Sequence, residues 1–163
     1  MWLALFGACA FAQDVEQLKH GVVRVLSHTQ AGIAKTGTGF IVKIDADVVY
    51  IVTATHVVQG AEKIEVEFFA KRDALVPAKV GNMEDDSLRG IAFLVVRTST
   101  PPGTRPLVLA PAFKLKDAID EVLAIGFPRG APAWSPKSLK FATRDGRELL
   151  FDGKVNQGNS GGP

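Results

Sequence analysis

The stretch Val48-Val49-Tyr50-Ile51-Val52-Thr53-Ala54-Thr55-His56-Val57-Val58 decides the fold. Its first seven residues, Val48–Ala54, are β-branched, aromatic or small, which suits a pleated strand. The strand runs out through Thr53-Ala54-Thr55 and delivers a single histidine, His56, expected on a short helical turn at the sheet's edge. Just upstream, Asp45-Ala46-Asp47 reads as a tight turn, and Gly39–Ile44 as the strand paired with Val48–Ala54. Further out the signal repeats at Val22–Leu26, Ile64–Phe69, Ala78–Val80 and Ile91–Val96, each bounded by Gly, Asp, Asn or Lys/Arg clusters. Six short strands at this spacing predict a small closed barrel. Before them, Asp14–His20 places Val15 and Leu18 three apart and predicts a short amphipathic helix.

The second half of the chain is also β-rich. Thr98–Pro106 contains Pro101, Pro102, Gly103 and Pro106 and reads as a linker. Strands are predicted at Leu107–Leu109, Glu121–Ile125, Leu139–Thr143 and Glu148–Phe151, with Asp145-Gly146 as the tip of the last hairpin. The chain closes on Gly158-Asn159-Ser160-Gly161-Gly162-Pro163. A serine between glycines lets backbone crowd a reacting carbonyl, and the N–H groups of Gly158 and Ser160 are candidates to hold a developing oxyanion. Such a turn alone only reverses the chain. It gains meaning because a serine nucleophile needs an imidazole to take its proton, and His56 offers one. His20 and His28 have no comparable context and read as surface residues.

Composition limits the alternatives. A chain of 163 residues is long enough to bury a real core. Its apolar content is 47% and its charged content 22%, ordinary for a soluble globular protein. Net charge is only +2, from 19 basic and 17 acidic residues, so neither a nucleic acid nor an anionic membrane is an indicated partner. No apolar run reaches the length of a transmembrane helix. No metal-ligand cluster, phosphate loop or dinucleotide fingerprint is present, so no cofactor is expected. Residues 1–12 are apolar and end Ala10-Phe11-Ala12, a triplet that suits signal peptidase, and predict export. Cys9, the only cysteine, lies inside that segment, so the exported chain has to hold its core without a disulfide.

Four segments together resemble the trypsin-like (chymotrypsin-fold) serine proteases, above all their bacterial HtrA/Deg branch. They are Thr36-Gly37-Thr38-Gly39-Phe40-Ile41-Val42, Ile51–Val58, Val122-Leu123-Ala124-Ile125-Gly126-Phe127-Pro128 and Val155–Pro163, in the family's order. The resemblance implies an all-β fold of two six-stranded Greek-key barrels, the second incomplete within this sequence. Residues 13–97 would form the first barrel with His56, 98–106 the linker, and 107–163 the partial second barrel with Ser160. It further implies an endopeptidase acting on polypeptides, with Ser160 as nucleophile, His56 as base and Gly158 and Ser160 as oxyanion donors. Asn159 stands where proteolytically activated relatives carry Asp, so activation by a cut N-terminus is not expected. Asn156 also matches the HtrA branch. Lys154, six residues before Ser160, falls near the family's pocket floor.

One position departs from the pattern. The family carries Asp at the start of a short apolar strand; here the strand reads Gly90-Ile91-Ala92-Phe93-Leu94-Val95-Val96. Glycine supplies no carboxylate, and losing that function costs on the order of 10⁴ in turnover. Asp86, in the acidic loop Glu84-Asp85-Asp86-Ser87, is the candidate third member of the triad, although a solvated loop is the preferred reading of that stretch. Phe127-Pro128-Arg129-Gly130 resembles the family's Asn-Pro-x-Gly turn with Phe for Asn, and is expected near the site without chemistry. The sequence thus predicts either a weakened serine protease or a degenerate one that binds peptides or proteins without efficient cleavage.

Overall fold

A computed structural model describes residues 15–32, 34–85, 90–109, 115–129, 132–146 and 148–163. Nine strands are described: β1 (Val22–His28), β2 (Ala34–Asp45), β3 (Val48–Ala54), β4 (Lys63–Phe68), β5 (Lys71–Met83), β6 (Ile91–Arg97), β7 (Glu121–Gly126), β8 (Ser135–Asp145) and β9 (Glu148–Asp152). The first six close into a barrel in the order β1-β2-β3-β6-β5-β4, and β7-β8-β9 form a three-stranded antiparallel sheet. The protein is all-β, a complete barrel followed by a partial second sheet. Residues 15–19 are helical, in line with the expected amphipathic turn.

Alternation builds the barrel. Along β3 the burial pattern switches at every residue, putting Val49, Ile51 and Thr53 inside. Val23, Val25, Ile41, Val66, Phe68, Ala92, Leu94 and Val96 join Val49 and Ile51 in one cluster. Burying a Val, Leu or Ile side chain stabilises the fold by about 1.5–3 kcal/mol, and these side chains do so without a disulfide among the described residues. Closure needs strands to bend. Pairing shifts between Ile41 and Lys43, between Glu67 and Phe68, and between Val80 and Asn82 mark where bulges turn them.

A smaller cluster joins the barrel to the sheet. Val22, Ile125, Phe127 and Trp134 are buried together, with Phe69, Leu107 and Leu123 packed on them. The Trp134 indole N–H donates to the Val22 carbonyl at 2.9 Å, and its ring meets Phe127 edge-on with centroids 4.6 Å apart.

Two expectations are corrected. Leu107–Leu109 does not form a strand. The Leu107 N–H donates to Ile41 O, and its side chain lies over Gly21, but Val108 and Leu109 are 94% and 70% exposed. Three apolar residues with one anchored position have no partner strand to pair with. The histidines expected at the surface are half-buried: His20 stacks edge-on against Phe69, and His28 Nε2 lies 3.2 Å from the Glu65 carboxylate.

Candidate active site

His56 sits on the one-turn helix Thr55–Val58 that follows β3. No side chain caps that helix, so tertiary bonds hold it. Its first residue, Thr55, donates its N–H to Gly90 O at 2.7 Å and its hydroxyl to Glu84 O at 2.9 Å. The buried Ser27 hydroxyl donates to Val57 O at 2.7 Å from β1. Thr55, Val57 and Val58 are buried while His56 is exposed, so the turn is anchored on both sides of the imidazole.

Gly90 immediately precedes β6 beside this turn. Its φ is +62°, in the left-handed region, and its N–H donates to Asp85 O at 3.4 Å. The acidic segment containing Glu84 and Asp85 is therefore tied by its backbone to Thr55 and Gly90. Asp86, the candidate third triad member, lies outside the described residues.

Ser160 comes from the loop after β9. Four consecutive carbonyls in this loop accept hydrogen bonds. Gln157 O takes one from Arg129 N–H at 2.8 Å, and Gly158 O one from the Thr38 hydroxyl at 2.7 Å. Asn159 O takes one from Gly162 N–H, and Ser160 O one from Thr38 N–H, both at 2.9 Å. A trans peptide holds its C=O and N–H in opposite directions. Pinning Gln157 O therefore fixes the direction of the Gly158 N–H, and pinning Asn159 O fixes that of Ser160. Among the described residues neither of these two N–H groups donates to another group, whereas the intervening Asn159 N–H is taken by Asn156 O at 3.2 Å. Two fixed, unspent donors flanking a serine suit a developing anion.

The local sequence explains the shape. Gly158 has φ +98°, and a Cβ there would stand 2.0 Å from Phe127 O. Only glycine fits a position with both that angle and that backbone neighbour. Asn159 is turned inward, its Oδ1 lying 2.4 Å from where a Gly126 side chain would begin.

His56 and Ser160 line one open cleft of about 870 Å³ between barrel and loop, together with Lys35, Thr36, Val57, Phe127, Arg129, Gln157 and Gly158. The structure brings His56, Ser160 and Gly158 to that cleft. Lys154, expected near a pocket floor, is exposed and is not among the lining residues. The turn after β7 lies at the cleft as expected, whereas its pinning of the loop and the role of Thr38 were not legible from the motifs. Phe127 and Arg129 line the cleft, and Arg129 pins the loop. The available signal was Thr38 itself, a hydroxyl between two glycines at a strand position that alternation buries.

Among the described residues no cluster of His, Cys, Asp or Glu is placed to hold a metal ion, and no helix is long and apolar enough to cross a membrane.

Comparison with known proteins places the chain in a family. The magnetosome formation protease MamE of Magnetospirillum gryphiswaldense is 30% identical over 88% of this chain and 19% of its own length. Its namesake in Paramagnetospirillum magneticum is 32% identical over 80% of this chain and 18% of its own. The chain thus spans about a fifth of the curated relatives it matches. The crystal structure of the serine endoprotease from Yersinia pestis superimposes with a TM-score of 0.70 at 28% identity, covering 93% of this chain and 52% of that one. The family described as the trypsin-like peptidase domain matches residues 37–163, and this chain belongs to it.

Proposed function

We propose that this protein is a serine endopeptidase in which Ser160 is the nucleophile and His56 the general base. The observation that carries the reading is the shared cleft: a histidine fixed by the barrel and a serine fixed by the terminal loop line the same opening, with Gly158 beside them. Ser160 Oγ attacks the peptide carbonyl, His56 takes its proton and later returns it to the leaving amine. The N–H groups of Gly158 and Ser160 receive the oxyanion, and a second attack by water releases the acyl group. No metal or organic cofactor enters this chemistry. The substrate is a polypeptide.

Turnover is weak in this proposal, because the position that carries aspartate in the family is Gly90. Asp86 is the alternative carboxylate, supported by the backbone ties between its acidic segment and Thr55. The division into a barrel over 13–97, a linker over 98–106 and a partial second barrel over 107–163 belongs to the same reading. So does export directed by residues 1–12, which lie outside the described residues. N-terminal sequencing of the secreted or periplasmic protein would then begin at Gln13; retention of Met1 would reject export.

The function is tested by casein hydrolysis by the protein and its Ser160→Ala variant. Slow cleavage that disappears in Ser160→Ala supports the proposal. Peptide binding without Ser160-dependent cleavage supports the second reading, a degenerate protease that serves as a binding module, whose one favouring observation is Gly90.

A further inference from the structure

Thr38 is wholly buried on β2, far in sequence from the loop it touches. Its hydroxyl donates to Gly158 O at 2.7 Å and accepts from Phe127 N–H at 3.3 Å. Its backbone N–H donates to Ser160 O at 2.9 Å. Its own carbonyl is held in turn by the Thr53 hydroxyl at 2.6 Å, from the strand that leads to His56. One residue of the barrel therefore fastens the Gly158–Asn159 and Ser160–Gly161 peptide planes and the segment after β7. The hydroxyl spends its single proton on Gly158 O, so it has no second donor to offer a substrate.

We infer that Thr38 is a positioning residue that sets the orientation of the Gly158 and Ser160 N–H groups, an inference that rests on the serine peptidase reading above. The chain of contacts is short. Phe127 O lies against Gly158 with no room for a side chain, and Phe127 is held by the Thr38 hydroxyl. Two residues on, Arg129 N–H pins Gln157 O, the carbonyl of the peptide that carries the Gly158 N–H. Removing the hydroxyl strands both Gly158 O and Phe127 N–H in a buried setting. A buried group left unsatisfied is costly, so the loop rotates to find new partners. Rotation of the Gly158–Asn159 peptide turns its two neighbours, the Gln157–Gly158 and Asn159–Ser160 peptides that carry the oxyanion donors, away from the point where charge develops. Ground-state peptide binding in the cleft does not depend on that alignment, so the damage falls on kcat.

The test compares the protein with Thr38→Val, Thr38→Ser and Gly158→Ala, measuring kcat and KM on a peptide substrate, affinity for a peptide boronate, and melting temperature. The boronate forms a tetrahedral adduct on Ser160 and reports the oxyanion donors directly. Thr38→Val is expected to lower kcat and boronate affinity by about tenfold to a hundredfold, part of the roughly 10²–10³ that deleting an oxyanion donor costs, with KM within about twofold. Thr38→Ser keeps the hydroxyl and is expected to recover most of the loss. Gly158→Ala displaces Phe127 O from the other side, and is expected to give the same kcat-specific loss even where Thr38→Val folds too poorly to assay. Unchanged kcat and boronate affinity in folded Thr38→Val, or in Gly158→Ala, overturns the inference. So does a loss of kcat in Thr38→Val that Thr38→Ser fails to recover. If the parent protein itself forms no boronate adduct on Ser160, the peptidase reading falls, and the positioning role with it.

Discussion

The N–H of Thr55 donates to the carbonyl of Gly90 at 2.7 Å, so the residue just before the histidine is bonded to the residue proposed above to stand where the family carries aspartate. Position 90 is thus beside the turn that carries His56, the proposed base, yet it holds no side chain and its φ is +62°. Asp is among the few non-glycine residues that tolerate this region. Gly90→Asp is expected to raise kcat on a peptide substrate by at least about tenfold with little change in KM, since a carboxylate there acts on the imidazolium formed during attack. Steady-state kinetics check it. No gain in Gly90→Asp, combined with a large loss in Asp86→Asn, would assign the carboxylate role to the acidic loop instead.

Trp134 ties the sheet to the barrel by one hydrogen bond and by packing. Trp134→Phe retains an aromatic ring but leaves Val22 O without its donor, and is expected to cost about 1–3 kcal/mol. Trp134→Ala also empties the space against Phe127 and is expected to cost about 3–5 kcal/mol. Urea denaturation gives both values; no cost in Trp134→Phe would mean that the indole N–H contributes nothing, and equal costs would mean that the ring packing contributes nothing beyond it.

Much of this was legible in the sequence because alternation and turn chemistry are local signals. Val48–Ala54 was read with its observed bounds, and the hairpin at Asp145-Gly146 formed as read, with Asp145 opposite Glu148 and Gly146 at φ +56°. Strand β5 shows where local reading fails. Only Ala78–Val80 was expected, whereas pairing extends over Lys71–Met83. Most of its residues are exposed, charged or interrupted by Pro77, so its propensity is poor; hydrogen bonds to β4 and β6 on both edges override it. That His56, Ser160 and Gly158 belong to one place was legible because their motifs are contiguous, and all three line the same cleft. Thr38 and Arg129 act on the loop through bonds between segments distant in sequence, which no local pattern encodes.

The Arg24–Glu67 pair illustrates the cost of buried charge. The two side chains approach to 2.5 Å across β1 and β4, and Glu67 is buried, also accepting from Asp73 N–H at 2.6 Å. Arg24→Ala leaves that carboxylate uncompensated and is expected to destabilise by about 3–5 kcal/mol. Arg24→Ala with Glu67→Gln should recover part of the loss, and thermal or urea melts of the single and double variants measure the recovery.

Glu65 supplies a pH dependence. The Lys63 ammonium, 2.9 Å away, holds its carboxyl below the usual carboxylate range, against a smaller opposing effect of burial. A carboxylate depressed on folding contributes stability above its unfolded pKa and loses it as pH falls through the folded value. Stability should therefore drop from about pH 5 downward, and Glu65→Gln should flatten that part of the profile. Denaturant midpoints between neutral and acid pH check the slope. A profile unchanged in Glu65→Gln would remove Glu65 from the account.

The most direct measurement of the central claim is covalent labelling of the protein with a fluorophosphonate, followed by peptide mapping. The account predicts a single adduct on Ser160, abolished in Ser160→Ala and slowed at least about a hundredfold in His56→Ala, because the hydroxyl is a weak nucleophile without its base. Labelling at another residue, or equal labelling of Ser160 with and without His56, would contradict it.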